Sequence, residues 1–124
     1  MKLAVQLYTL RNDYSNGEEF LKILEEVKEI GFDGVEFAGY ADLEPKVIKA
    51  KLDELGLVAV GCHMDLEDYE GDNLEKSIKL GKALGMEYMG IGGADHSTKD
   101  DVDRLVDVFS KANERGKDEG IKFY

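Results

Sequence analysis

Four times the sequence runs from a helix-like stretch through a glycine into a short apolar segment: "EIGFDGVEF", "ELGLVAVGC", "ALGMEYMGI" and "DEGIKFY". No other feature restricts the possible folds so tightly. Glycine just past a helix takes the left-handed backbone that other residues resist. The segments after Gly31, Gly56, Gly85 and Gly120 are too short for helices and rich in Val, Ile, Phe, Tyr and Met, so they read as strands. "MKLAVQLYTL" reads as a first strand ahead of them. Strand starts near Leu3, Gly34, Leu57, Tyr88 and Ile121 recur every 23 to 33 residues, the size of a β-α unit. Strict alternation of this kind implies a parallel sheet.

The helices lie between these strands. The first is expected over about Glu18 to Ile30, with Phe20, Ile23, Leu24, Val27 and Ile30 on one stripe and Ser15 with Glu18 as a capping box. The second opens at Pro45, suited to a first helical position, and carries Val47, Ile48, Leu52 and Leu55. Asp72 and Glu75 signal the start of the third, which carries Leu74, Ile78 and Leu84. The fourth starts near Thr98 with Val102, Leu105, Val106 and Phe109.

Two architectures use this alternation. An open, flavodoxin-like sheet with strand order 2-1-3-4-5 fits 124 residues. A (β/α)8 TIM barrel takes about 250 residues, so residues 1–124, read as one truncated domain, form a half-barrel of about four β-α units plus the start of strand five. Strand faces arbitrate. Leu3, Val5 and Leu7 oppose Ala4, Gln6 and Tyr8; Val35 and Phe37 oppose Gly34, Glu36 and Ala38; Val58, Val60 and Cys62 oppose Ala59, Gly61 and His63; Met89 and Ile91 oppose Tyr88, Gly90 and Gly92. One face of each strand is bulky and suits a helix layer. The other is small, with a polar group toward the C-terminal end, and suits a barrel interior opening into a site. The half-barrel is the favoured reading and the open sheet the alternative. A half-barrel leaves two open edges and an uncovered inner face, so self-association is expected. In a two-fold dimer pairing strand one beside the partner's strand four, Ile121 to Tyr124 would be displaced.

Charge narrows the partners. Sixteen Lys and Arg against 27 Asp and Glu leave a net charge of −11, which repels phosphate backbones and anionic lipid heads. Neither nucleic acid nor a membrane is an expected partner. No run is long enough to span a bilayer, and no export pattern opens the chain. The lone Cys62 forms no internal disulfide, which fits a cytoplasmic setting.

"VQLYTLR", "EIGFDGVEF" and "VGCHM", in this order, resemble the xylose isomerase-like TIM-barrel superfamily, over the N-terminal half of its domain. The resemblance implies a sugar phosphate isomerase or epimerase that moves a proton between neighbouring carbons of a sugar or polyol. In such enzymes a divalent metal (Mn, Mg, Co or Zn) holds two substrate oxygens, and carboxylates act as acid and base, mostly on strands five to eight. This stretch is therefore expected to hold no metal or cofactor of its own and to be inactive alone. Two other functions stay open: a self-associating scaffold without activity, and a flavodoxin-like module for a small ligand.

The candidate substrate-binding residues are Gln6, Tyr8, Glu36 and His63. Gln6 and Tyr8 could line a sugar pocket by hydrogen bonding and stacking, or fill core. Glu36, facing inward, contacts a substrate hydroxyl or supports a metal ligand; otherwise it bonds its neighbours at the rim. His63 binds substrate, or is a rim histidine satisfied by hydrogen bonds. One histidine and one glutamate make no closed zinc set, and Cys62 lies on the opposite face. Arg11 reads as a solvated loop residue, Gly92 and Gly93 as a close-packed turn, Asp95 and His96 as loop, and "MDLEDYEGD" as a solvated loop or lid.

Overall fold

Five strands alternate with four helices in a computed structural model that describes residues 1–124. The strands are β1 (Ala4–Gln6), β2 (Gly34–Phe37), β3 (Val58–Met64), β4 (Tyr88–Ile91) and β5 (Lys122–Phe123). The helices are α1 (Gly17–Ile30), α2 (Pro45–Leu55), α3 (Asp72–Leu84) and α4 (Lys99–Gly116). All neighbours pair in parallel in the order β1-β2-β3-β4-β5. Sequential order with every strand parallel is the geometry of half a TIM barrel and rules out the flavodoxin-like alternative, which places β1 between β2 and β3.

Each helix returns the chain along one face of the sheet, and the core lies there. Phe20, Val27, Val35, Phe37, Ile48, Leu52, Ile78 and Met89 are almost wholly buried. The junction glycines close the helices as expected, Gly31 at φ 108° and Gly85 at φ 77°. The last junction differs: α4 ends at Gly116, and a 3₁₀ turn over Lys117–Glu119 separates it from Gly120. The first cap sits one residue later than Ser15 and Glu18 suggest. Asn16 accepts the backbone N–H of Glu19 at 3.0 Å, the Glu19 carboxylate accepts from Ser15, and Glu18 pairs with Lys22.

Strict alternation fails at one place. Val35 pairs with Ala59 but Glu36 pairs with Gly61, so Val60 is an extra residue in β3. Ala59 is 4% exposed, beneath the helices, while Val58 and Val60 are 54% and 39% exposed. A Cβ on Gly34 would lie 3.0 Å from a Val60 methyl and 3.6 Å from the Ala4 Cβ, which puts Val60 on the concave face. The expected facing of Val58, Val60 and Ala59 is therefore reversed. A bulge adds one residue to one strand, and the alternation beyond it shifts by one. Cys62 consequently faces the helices and His63 the concave side.

Three further expectations change. Leu3 precedes β1 and is half exposed. Ile121 to Tyr124 are not displaced: Lys122 pairs with Tyr88, Phe123 with Met89, and Ile121 is 2% exposed. The acidic stretch is not a solvated loop. Asp65 and Asp68 cap a 3₁₀ turn reciprocally, and that turn buries Leu66 and Tyr69. The Tyr69 hydroxyl donates to the Gly90 carbonyl at 2.8 Å, and its ring meets Phe123 edge-on at 5.1 Å. No helix is long and apolar enough to cross a membrane.

Cys62 sits beneath this turn with its Sγ 3.8 Å from the Tyr69 oxygen, and burial pushes its thiol above the ordinary value. The thiolate is the reactive form. At pH 8 a thiol reagent should therefore modify the native protein roughly 100-fold more slowly than the urea-unfolded chain. Equal rates in the two states would contradict this placement.

Candidate functional site

The C-terminal ends of β1, β2 and β3 converge on one carboxylate. Gln6 sits opposite Glu36 in the ladder, and the bulge in β3 turns His63 to the same concave face. Glu36 Oε2 accepts from Gln6 Nε2 at 3.3 Å, and His63 Nε2 lies 3.0 Å from Glu36 Oε1. The same amide nitrogen donates to His63 Nδ1 at 3.0 Å. Both amide hydrogens of Gln6 are used, and the tautomer in which Nδ1 accepts carries its proton on Nε2, toward Glu36. The Glu36 and His63 side chains remain 22% and 27% exposed, open to a ligand on one side.

A fourth member comes from beyond β5. The Tyr124 hydroxyl donates to Glu36 Oε1 at 2.9 Å, and its ring meets His63 edge-on at 5.9 Å. To reach Glu36 the phenol crosses β4 and β3 on the concave face. Gly90 and Gly61 clear its way: a Cβ on Gly90 would lie 2.8 Å from Tyr124 Cε2, and one on Gly61 would lie 3.7 Å from the hydroxyl. Partial burial and the Glu36 carboxylate push the Tyr124 phenol up to about 12. Sequence reasoning did not select Tyr124. The signal was present in "IKFY", because alternation that sends Ile121 and Phe123 to the helices sends Tyr124 inward.

Beside this cluster lies a cavity of about 620 Å³. Gln6, Tyr8 and His63 line it, with Asp65 and Asp68 from the 3₁₀ turn after β3. Tyr8 is not a strand residue. β1 ends at Gln6, and Tyr8 stands half exposed in a 3₁₀ turn over Leu7–Leu10, touching the cavity without bonding Glu36 or His63. Arg11 is held by that turn: it donates to the Tyr8 carbonyl at 2.9 Å and stacks 4.3 Å from the ring centroid. Gly92 and Gly93 line the far wall, and a Cβ on either would meet nothing closer than 3.9 Å, so close packing does not explain them. Asp95 and His96 stay in an exposed loop, where Asp95 accepts from Ser97 and His96 bonds the Ala94 carbonyl.

These residues do not make a metal centre. No three His, Cys, Asp or Glu side chains converge anywhere in the chain. Glu36 and His63 supply two donors, and those are spent on each other and on Gln6 and Tyr124. The arrangement can hold a carboxylate rigidly and present it, with Gln6 and Tyr8, to a small hydrogen-bonding ligand.

No family model matches the sequence, and no curated protein matches it. Solved structures do match. The chain superposes on an AP endonuclease of family 2 from Brucella melitensis with TM-score 0.77 and 23% identity, over 98% of this chain and 53% of the other. A sugar phosphate isomerase/epimerase from Parabacteroides distasonis gives TM-score 0.68 and 22% identity over 98% and 49%. The IolI protein with a zinc atom bound gives 0.69 and 17% over 99% and 50%. The fold is thus that of half a TIM barrel, and the chain spans about half the length of the structures it matches.

The glycine path under Tyr124 is directly testable. Gly90→Ala forces a methyl into the phenol and into the Tyr124 carbonyl, also 2.8 Å away. Such overpacking should destabilise the protein by about 1–3 kcal/mol in urea unfolding. Gly92→Ala, with only the His63 Cβ at 3.9 Å, should stay within about 0.5 kcal/mol of wild type. Equal effects would mean that Tyr124 does not lie over Gly90.

Proposed function

We propose that the concave face binds a small sugar or polyol, and that this chain carries one half of the site of a sugar isomerase- or epimerase-like barrel. The observation that carries the reading is Glu36. It is a partly buried carboxylate held among Gln6, His63 and Tyr124, next to a cavity of about 620 Å³ that Gln6 and His63 line. A rigid carboxylate and an amide suit the hydroxyls of a polyol, and the Tyr8 ring offers a stacking face. The neighbouring folds include a sugar phosphate isomerase/epimerase, which supports the same class. One neighbour is an endonuclease, but a net charge of −11 argues against a DNA ligand here. The single free thiol supports a reducing, cytosolic setting.

Binding without turnover is the expected behaviour of these 124 residues. Moving a proton between carbons requires an acid and a base within hydrogen-bond reach of the substrate. Glu36 is the one carboxylate of the hydrogen-bonded cluster, and it already accepts from Gln6 and Tyr124 with His63 Nε2 3.0 Å away. Titrating the protein with pentoses, hexoses and their alditols should move the NMR signals of Gln6, Glu36 and His63. Glu36→Ala should weaken binding by about tenfold or more, the worth of a hydrogen bond to a charged group. Ketose incubations with Mn²⁺ or Co²⁺ should show no product. Absence of any shift at the cluster would sink the binding claim, and metal-dependent turnover would sink the inactivity claim.

Self-association belongs to the same proposal. β1 and β5 each have one unpaired edge, and Val58, Val60 and Tyr88 are exposed on the concave face. Open edges and apolar faces recruit other chains. Sedimentation at micromolar concentration should show species heavier than the 13.8 kDa chain, and a stable monomer would count against it.

A further inference from the structure

We infer that the site selects an uncharged polyol over its phosphorylated counterpart, a conclusion that rests on the polyol reading and specifies its substrate. The argument is an account of donors and acceptors. Both amide hydrogens of Gln6 are spent on Glu36 and His63, which leaves its Oε1 as an unused acceptor facing the cavity rim. Both nitrogens of His63 are engaged. Asp65 and Asp68 each accept one backbone N–H through their reciprocal cap and keep acceptor capacity to spare. Tyr8 supplies the one uncommitted side-chain donor at the cavity wall. A ligand must therefore donate, as hydroxyls do.

Phosphate has the opposite needs. It wants N–H donors or cations, and the cavity wall contains neither Lys nor Arg. The nearby cations are already placed. Arg11 is bound to the Tyr8 carbonyl and stacked on its ring. Lys122 lies 5.5 Å from the Tyr88 ring centroid and lines the neighbouring hollow with Glu36 and Tyr124, outside this cavity's wall. Of the wall glycines only Gly39 has a positive φ, 105°, and Gly92 and Gly93 have none, so those two do not form the alternating turn in which successive amides cup an anion. The nearest downstream helix, α4, starts only at Lys99. Two carboxylates of the cavity wall, Asp65 and Asp68, then oppose a phosphate there.

The test compares ribitol, D-ribose, D-ribose 5-phosphate and inorganic phosphate on the same protein by NMR titration at low and high salt. Ribitol and ribose should bind, with shifts at Gln6 and His63. Ribose 5-phosphate should bind at least tenfold more weakly than ribose, and the gap should narrow as salt screens the carboxylates. In Asp65→Asn/Asp68→Asn, Asn keeps an acceptor oxygen for each capping bond while removing the charge. The ratio of phosphate to neutral-sugar affinity should then rise about tenfold, with the NMR spectrum reporting that the fold is kept. Ribose 5-phosphate binding as tightly as ribose would overturn the inference and leave the sugar site standing. So would an unchanged ratio in the double variant, or phosphate binding lost in Lys122→Gln. Failure of all four probes to bind would overturn the polyol reading itself, and this inference with it.

Discussion

A carboxylate on the uncovered face of a parallel sheet is costly unless it is bonded. Glu36 meets that demand with donors from β1 and the residue after β5, and with the His63 ring nitrogen of β3 3.0 Å away. The resulting chain of side-chain bonds runs across the strands on the face that has no helices. It parallels the backbone ladder and joins strands that do not touch in the sheet, since β2 and β5 are separated by β3 and β4. β4 contributes space instead of a bond, through Gly90. The same four residues therefore tie the strands together across the concave face and form the candidate site.

The helix–glycine–strand rhythm carried most of the fold on its own. A left-handed cap followed by an apolar run admits few alternatives, and the stripes on α1 to α3 name most of the helix residues that become core, whereas Ile30, Val47, Val102 and Val106 are exposed and α4 buries Val108 and Ala112 instead. The bulge was illegible for a physical reason. "VAVG" alternates between bulky and small residues, and either set can face helices or interior. Only the pairing of Glu36 with Gly61 rather than Val60 shows where the extra residue falls. In "MDLEDYEGD" the density of charge hid the buried Leu66 and Tyr69, and the Tyr69 ring packs against Phe109 and Phe123 far along the chain. Asn16 and Ser15 are adjacent residues of similar capping power, so a one-residue slip was built into the pattern. Gln6, Glu36 and His63 emerged because alternation marked them as polar groups on a small-residue face. Their mutual bonding was beyond reach, because it depends on the bulge and on Tyr124.

At about a fifth identity the chain still superposes on half of much longer barrels. What persists is a set of constraints more than particular residues: strand spacing, a cap at each junction, and bulky side chains on the helix side. The helix side forms a closed core within these residues, from Phe20 and Phe37 to Met89 and Phe123. The concave side is different. Its upper end is polar and bonded, whereas Val58, Val60 and Tyr88 lie bare below it.

The bond between Tyr124 and Glu36 couples two processes that look unrelated. Lys122–Phe123 is the shortest strand and lies at an edge of the sheet, so its hold depends partly on that phenol. A ligand that takes Glu36 Oε1 from Tyr124 removes one of the tethers of β5. By thermodynamic reciprocity, the free energy that docking of β5 withholds from the ligand equals the free energy that the ligand withholds from docking. Occupancy of the site is therefore readable at a distance, as faster amide hydrogen exchange in the last strand.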